Sequence, residues 1–139
     1  MARMDKNNIP ATIKAVEAAT AKALTAAAIH VQGAAINFCS AVDTGNLKGS
    51  ITYKVGREEA RIGTNVHYAP YVEYGTGVYA EGGDGRKTPW VYFHHKWGFI
   101  KTSGSPAKPF LRPALDNNER QVKETMAHHY KKAIEGVTR

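Results

Sequence analysis

The sequence predicts an α+β fold: a long N-terminal helix, an antiparallel β-sheet with an extended hairpin arm, and a C-terminal helix packed on the sheet. Three observations carry this. Apolar residues recur at helical spacing over the first part of the chain, short alternating stretches bounded by turn residues fill the middle, and helical spacing returns at the end. Strand and helix never alternate in the βαβ manner, so a parallel sheet is not expected. The 139 residues suit one domain, 1–139, with an arm or loop insertion at about 78–105.

The first helix is expected from Pro10 to Phe38, where Ile13, Val16, Ala23, Ala27, Val31, Ala34 and Phe38 keep spacings of three, four or seven. Alanine fills much of the remainder, and Pro10 suits a first helical turn. Cys39, at the end of this stripe, is the single cysteine; it cannot form an internal disulfide and reads as a small buried hydrophobe, in keeping with a reducing cytoplasm. "VDTGNLKGS" then breaks the helix, because Asp, Gly and Asn favour turns. "SITYKV" and "ARIGT" alternate on either side of "GREE" and predict a β-hairpin. Tyr68, Tyr71 and Tyr74 recur every third residue, which predicts a short helix within 66–74 with the tyrosines roughly on one side.

"WVYFHHKWGFIKTSG" predicts a second hairpin that turns near His95 and Lys96. The three prolines of "SPAKPFLRPAL" restrict the chain ahead of a last helix from Phe110 to Ile134. Its stripe is Leu111, Leu115, Val122, Met126, Tyr130 and Ile134, with Asn118 in register. No apolar run approaches the length of a membrane span, and the first residues lack the continuous apolar segment of a signal peptide.

The formal charge of +7 invites a nucleic-acid reading, and its distribution tempers it. Residues 96–139 carry 9 Lys and Arg against 4 Asp and Glu, whereas 51–95 are balanced at 5 each. The excess is spread along the C-terminal part with no basic run, so it fits contact with something anionic without specifying DNA.

Motifs that suggest chemistry fail on context. A phosphate-cradling loop requires glycine immediately before Lys87 and Thr88, and Arg86 stands there. Gly75-Thr76-Gly77 begins a loose dinucleotide pattern, yet more glycines follow it where a helix is needed. Asp43-Thr44-Gly45 spells the triplet of aspartic proteases, but a long helix precedes it instead of the apolar strand that would bring two such aspartates together, so it reads as a turn. His94-His95 and His128-His129 are adjacent pairs whose side chains diverge, and Glu124 with His128 lacks a third ligand. The serines have no recognisable base beside them. No catalytic, metal or cofactor-binding residue is expected, and the chain is read as a non-enzyme.

Three stretches taken together are more specific. "AVDTGNLKGSI", "YAPYVEYGTG" and "PAKPFLRPAL" resemble, in this order, signatures of the minor virion proteins of long-tailed bacteriophages known as head-to-tail joining, neck or tail-completion proteins. The resemblance spans about residues 10–135. It implies a small structural subunit, without catalytic activity or cofactor, that forms a ring, six copies being the favoured number, at the junction of head and tail. It implies synthesis in the bacterial host cytoplasm and residence in the virion, with the portal or connector and tail proteins as partners and no membrane. Non-specific contact with phage DNA is a further option, for which Lys123, Lys131 and Lys132 are candidates if they are not simply a solvated face. The alternative function is a basic nucleic-acid-binding module.

Within that resemblance, Asp43, Thr44 and Gly45 would shape the turn after the long helix. Tyr68, Tyr71, Val72, Glu73 and Tyr74 would form an aromatic segment beneath the sheet, ending where Gly75 and Gly77 allow unusual backbone angles. Pro109, Phe110, Leu111, Arg112 and Pro113 would lock the approach to the last helix, with Phe110 and Leu111 buried. These residues are either fold determinants or contact sites. The segment beyond them is too apolar for a linker, and Trp90, Tyr92, Phe93, Trp97 and Phe99 are candidate subunit or partner contacts. Gly82, Gly83 and Gly85 would let this arm move before docking.

Overall fold

A computed structural model describes residues 9–39 and 45–137. It is an α+β chain with a long first helix, two hairpins and a C-terminal helix. Helix α1 (Ile9–Phe38) leads to a short helix α2 (Asn46–Ser50) and a hairpin of β1 (Thr52–Val55) and β2 (Ala60–Gly63). Helix α3 (Ala69–Tyr74) and a single 3-10 turn (Gly77–Tyr79) follow, then the second hairpin, β3 (Trp90–His94) and β4 (Gly98–Thr102). Helices α4 (Leu111–Asp116) and α5 (Glu119–Val137) close the chain. Each hairpin is its own two-stranded antiparallel sheet. Asp43 and Thr44 lie outside the described residues.

The core gathers at the C-terminal end of α1. Val31, Ala35 and Cys39 meet Leu47 and Ile51 from the α2 region, Ala69 of α3, and Phe110 and Ala114 at α4. Half-buried Ile62, Val66, Tyr68, Val72 and Leu111 pack around them. Phe110 is wholly buried, which puts the largest hydrophobic contribution of the core, on the order of 2–3 kcal/mol, on one side chain. Gln32 ties the helix to the first hairpin by donating Nε2–H to the Ile51 carbonyl at 2.9 Å. In that hairpin Thr52 faces Gly63 and Val55 faces Ala60.

The first half of α1 has a different partner. Helix α5 runs along it, and side-chain bonds fix the direction: Thr20 Oγ1 meets Tyr130 Oη at 2.6 Å, and His30 Nε2 meets Asn118 Oδ1 at 3.0 Å. As the α1 number rises, the α5 number falls, so the two helices are antiparallel. The last helix therefore packs chiefly on α1 instead of on a sheet. The buried row of α1 explains this, because Ala19, Ala23, Ala27, Val31 and Ala35 recur every fourth residue and their small side chains let a second helix approach closely.

That row shares Ala23, Ala27 and Val31 with the stripe expected from the sequence and departs from it at both ends. Ile13 and Phe38 are exposed, and Ile29 and Ile9 join them on the solvent side. The expected single last helix is also divided. Asn117 and Asn118 separate α4 from α5, because Asn118 takes over the turn with its side chain: Nδ2–H donates to the Ala114 carbonyl at 2.9 Å, the acceptor its own backbone N–H would have used in a continuous helix. The Asn118 N–H turns to the Leu115 carbonyl instead, at 3.1 Å, and the Asn118 carbonyl accepts from Val122 to start α5. Leu115, placed on the apolar stripe by its spacing, is exposed, and Phe110 and Ala114 take the inward side of α4. No described helix is long and apolar enough to cross a membrane.

Candidate functional site

The second hairpin stands on a stem built from two glycine-containing strands of chain. Thr76 N–H donates to the Ser105 carbonyl at 2.9 Å, Val78 N–H to the Ser103 carbonyl at 3.0 Å, and Ser105 N–H to Thr76 Oγ1 at 2.8 Å. The two segments come so close that a Cβ on Gly77 would overlap the Ser103 carbonyl, and one on Gly104 the Thr76 carbonyl. Both residues also have positive φ, 61° and 123°, so glycine is required twice over. Gly85 packs against the Gly77 carbonyl in the same way. The stem is thus a seam of backbone contacts; of the three glycines expected to let the arm move, Gly85 packs against it, while Gly82 and Gly83 have open space around them.

Below the stem lies a buried carboxylate. Glu73, only 4% exposed, accepts from the backbone N–H groups of Phe110 at 2.8 Å, Leu111 at 3.0 Å and Arg112 at 2.9 Å. These are donors that the start of α4 leaves without intrahelical acceptors, and Phe110 at the cap position has no side chain to satisfy them. Glu73 caps the helix from a distant segment. Arg112 completes the node: its Nε–H donates to Glu73 Oε1 at 2.9 Å, Nη2–H to the Glu73 carbonyl at 2.6 Å, and Nη1–H to Glu81 at 2.8 Å. Its guanidinium lies over the Tyr74 ring, 4.6 Å from the centroid.

Burial pushes the Glu73 carboxyl up, but the three backbone donors and the guanidinium together outweigh it and hold the group below the usual carboxylate range. The bonds to Glu81 and Glu73 push Arg112 further up, so both groups stay charged.

The node binds "YAPYVEYGTG" to "PAKPFLRPAL", with Lys108 N–H also donating to the Val72 carbonyl at 2.7 Å. Within these motifs the environments divide. Glu73 and Phe110 are buried, Tyr68, Leu111, Arg112 and Pro113 are half-buried, and Pro109 is exposed. Tyr71 and Tyr74 are exposed, not packed beneath a sheet, because Ala69 and Glu73 take the inward side of α3. Pro113 sits in the first turn of α4, where no N–H is needed. Gly75 closes α3 with φ 82°, and Gly45 precedes α2 with φ 76°.

The register of the hairpin sorts its aromatic residues onto two faces. Phe93 pairs with Phe99 and Val91 with Lys101, so these four share a face; Trp90, Tyr92 and Ile100 lie on the other. Phe99 is 79% exposed and Phe93 66%, with their rings edge to face at 5.4 Å. Trp97, at the turn, is 67% exposed, and the Lys96 ammonium lies 4.9 Å above its ring. Trp90 is half-buried under the Arg86 guanidinium and lines a groove of about 720 Å³ together with Tyr71, Tyr74, Glu81 and Asp84. Of the candidate contacts named from the sequence, Phe93 and Phe99 form an exposed apolar face with Trp97 at its tip, Trp90 lines the aromatic groove, and Tyr92 is exposed on the strand face of Trp90 outside the groove. Among the described residues no cluster of three or more His, Cys, Asp or Glu could hold a metal.

Sequence reasoning missed the bond between Glu73 and the start of α4. A signal was present: "KPFLRPAL" begins a helix with no Ser, Thr, Asp or Asn at its cap, so its orphan donors had to be met from elsewhere.

No curated protein and no solved structure matches the chain. Residues 5–75 match the model of a family described as "Bacteriophage HK97-gp10, putative tail-component", a span that runs from before α1 to the end of α3 and includes Glu73. This is consistent with the head-to-tail joining and tail-completion resemblance read from the sequence. The chain belongs to this HK97-gp10-like family of bacteriophage tail components.

Proposed function

We propose that the protein is a non-enzymatic virion subunit that assembles as a ring, of six copies, at the junction of head and tail, joining the portal-connector side to the tail. Membership in a family of structural tail components supports a place among other virion proteins. The observation that carries the finer reading is the exposed face of Val91, Phe93 and Phe99 on a hairpin whose stem is tied by backbone hydrogen bonds. A contiguous apolar face of this kind marks an interaction surface, and a tied stem presents it to a neighbour. The alternative, a basic nucleic-acid-binding module, draws on charge alone, and on α5 Lys123 and Arg120 are already paired with Glu119 and Glu124.

Light scattering on the purified protein tests the ring, since a monomeric module and a six-membered ring differ plainly in mass. The arm is tested by replacing Val91–Lys101 with Asn-Gly, a link that keeps the Trp90–Thr102 pair and closes it with a two-residue turn. The shortened protein is expected to fold and to fail in joining heads to tails. Infectious particles formed with it would remove the arm from assembly.

A further inference from the structure

The two patches on this chain are complementary to each other. The face of Phe93 and Phe99, with Trp97 at its tip, is apolar and protrudes; the groove of Tyr71, Tyr74 and Trp90 is aromatic and concave. Their charges also match. The turn and the exposed face of the hairpin carry Lys96 and Lys101 and no acidic residue, while the groove carries Glu81 and Asp84, with Arg86 held over Trp90 at its wall. Glu81 is shared with Arg112, but Asp84 makes no ion pair among the described residues.

One copy cannot join its own two patches. Strand alternation points Phe93 and Phe99 away from the face that carries Trp90, and the tip stands at the far end of the hairpin from that residue. An arm tip in the groove therefore belongs to another copy, and Lys96 and Lys101 beside the apolar face match Asp84 at the groove. Two different patches on opposite faces make the contact heterologous: each subunit gives a tip to one neighbour and receives one from the other.

We infer that the Phe93–Phe99 face and Trp97 of one subunit seat in the Tyr71–Tyr74–Trp90 groove of the next, with Lys96 or Lys101 of the arm against Asp84 at the rim. This rests on the ring reading above and specifies its subunit contact. A face-to-groove seat of this kind buries the large aromatic side chains that dominate interface energy, and the rim charges set partner and direction.

The test mixes two versions of the full chain, each in a Cys39→Ala background. One carries Val91→Cys, on the exposed face beside the phenylalanines, and the other Pro70→Cys, at the lining of the groove, so that the aromatic side chains of both patches are kept. Oxidation of the mixture is expected to give a disulfide-linked heterodimer, and neither version alone is expected to cross-link. A charge exchange gives an independent readout: Asp84→Lys and Lys96→Glu should each weaken association about tenfold, and the double variant should recover most of it. Rings of normal mass with no heterodimer and no rescue overturn the inference and leave the ring reading standing. Heterodimers within open polymers support the contact and overturn the closed ring. A wild-type chain that stays monomeric at the highest attainable concentration overturns both.

Discussion

The Glu73 node and the β3–β4 hairpin lie on either side of one stem and treat aromatic side chains in opposite ways. At the node, Phe110 is fully buried, and the polar groups around it are satisfied by a carboxylate and a guanidinium. On the hairpin, Phe93 and Phe99 are exposed and have chiefly each other. The first arrangement yields stability at the expense of exposed surface, and the second yields surface with little stability. The seam between Thr76–Val78 and Ser103–Ser105 lets both exist in one chain, because it passes the rigidity of the node to a hairpin that packs on little else.

If this division is right, the largest loss of stability follows from removing the node's carboxylate. Glu73→Ala leaves three backbone donors without an acceptor and Arg112 without its buried partner. A loss of about 3–5 kcal/mol is expected, read as the shift in a denaturant unfolding midpoint. Glu73→Gln keeps an acceptor oxygen and should cost less. A Glu73→Ala protein as stable as the wild type would dissolve the contrast between the two regions.

The same group sets the acid limit. Because the folded-state pKa of Glu73 is lowered, its contribution is fully present above the unfolded value, near pH 4.3, and is lost as pH falls through the folded value. Thermal unfolding followed from pH 7 down to pH 3 should show stability falling below about pH 4, and the fall should be shallower in Glu73→Gln. An equal fall in both proteins would assign the acid sensitivity to other carboxylates.

A smaller effect is expected at the seam. Gly77→Ala adds a Cβ against the Ser103 carbonyl at a φ of 61°, so the 103–105 segment must move. About 2 kcal/mol is expected, together with a change in hydrogen exchange confined to the 76–78 and 103–105 amides. Exchange that spreads to α1 would mean the seam belongs to the core and does not separate two regions.

What the sequence made legible follows from the range of the interactions involved. Both hairpins were visible because alternation and turn residues act over neighbouring positions, and "GREE" and "HHKWG" fall where the chain reverses. The first helix was visible for the same reason, and so was the middle of its buried row, Ala23, Ala27 and Val31, but not the ends of that row. At the ends the large apolar Ile13 and Phe38 marked the expected stripe, whereas the chain buries Ala19 and Ala35, and small residues signal close helix packing only once the partner is known. The Glu73 cap joins positions 37, 38 and 39 residues apart, and no local period reports such a bond. The aromatic residues of the arm stood out from composition as candidate contacts, but the separation of Phe93 and Phe99 from Trp90 needed the strand register.

The smallest change in stability is expected where the change in assembly is greatest. Phe99→Thr removes the most exposed aromatic side chain of the arm and keeps a β-branched residue suited to a strand. Its ring is 79% exposed, so little buried area is lost; what goes is mainly the edge-to-face contact with Phe93, which is worth about 0.5–1.5 kcal/mol when fully formed between packed rings. Unfolding should therefore shift by less than about 1 kcal/mol, and the strand pairing from Trp90–Thr102 to His94–Gly98 should survive. If the exposed face exists to meet a neighbour, the same variant should associate at least tenfold more weakly, because large aromatic side chains dominate interface energy. A stability loss as large as that of Glu73→Ala would place Phe99 in a core role, and unchanged association would leave the exposed face without a partner.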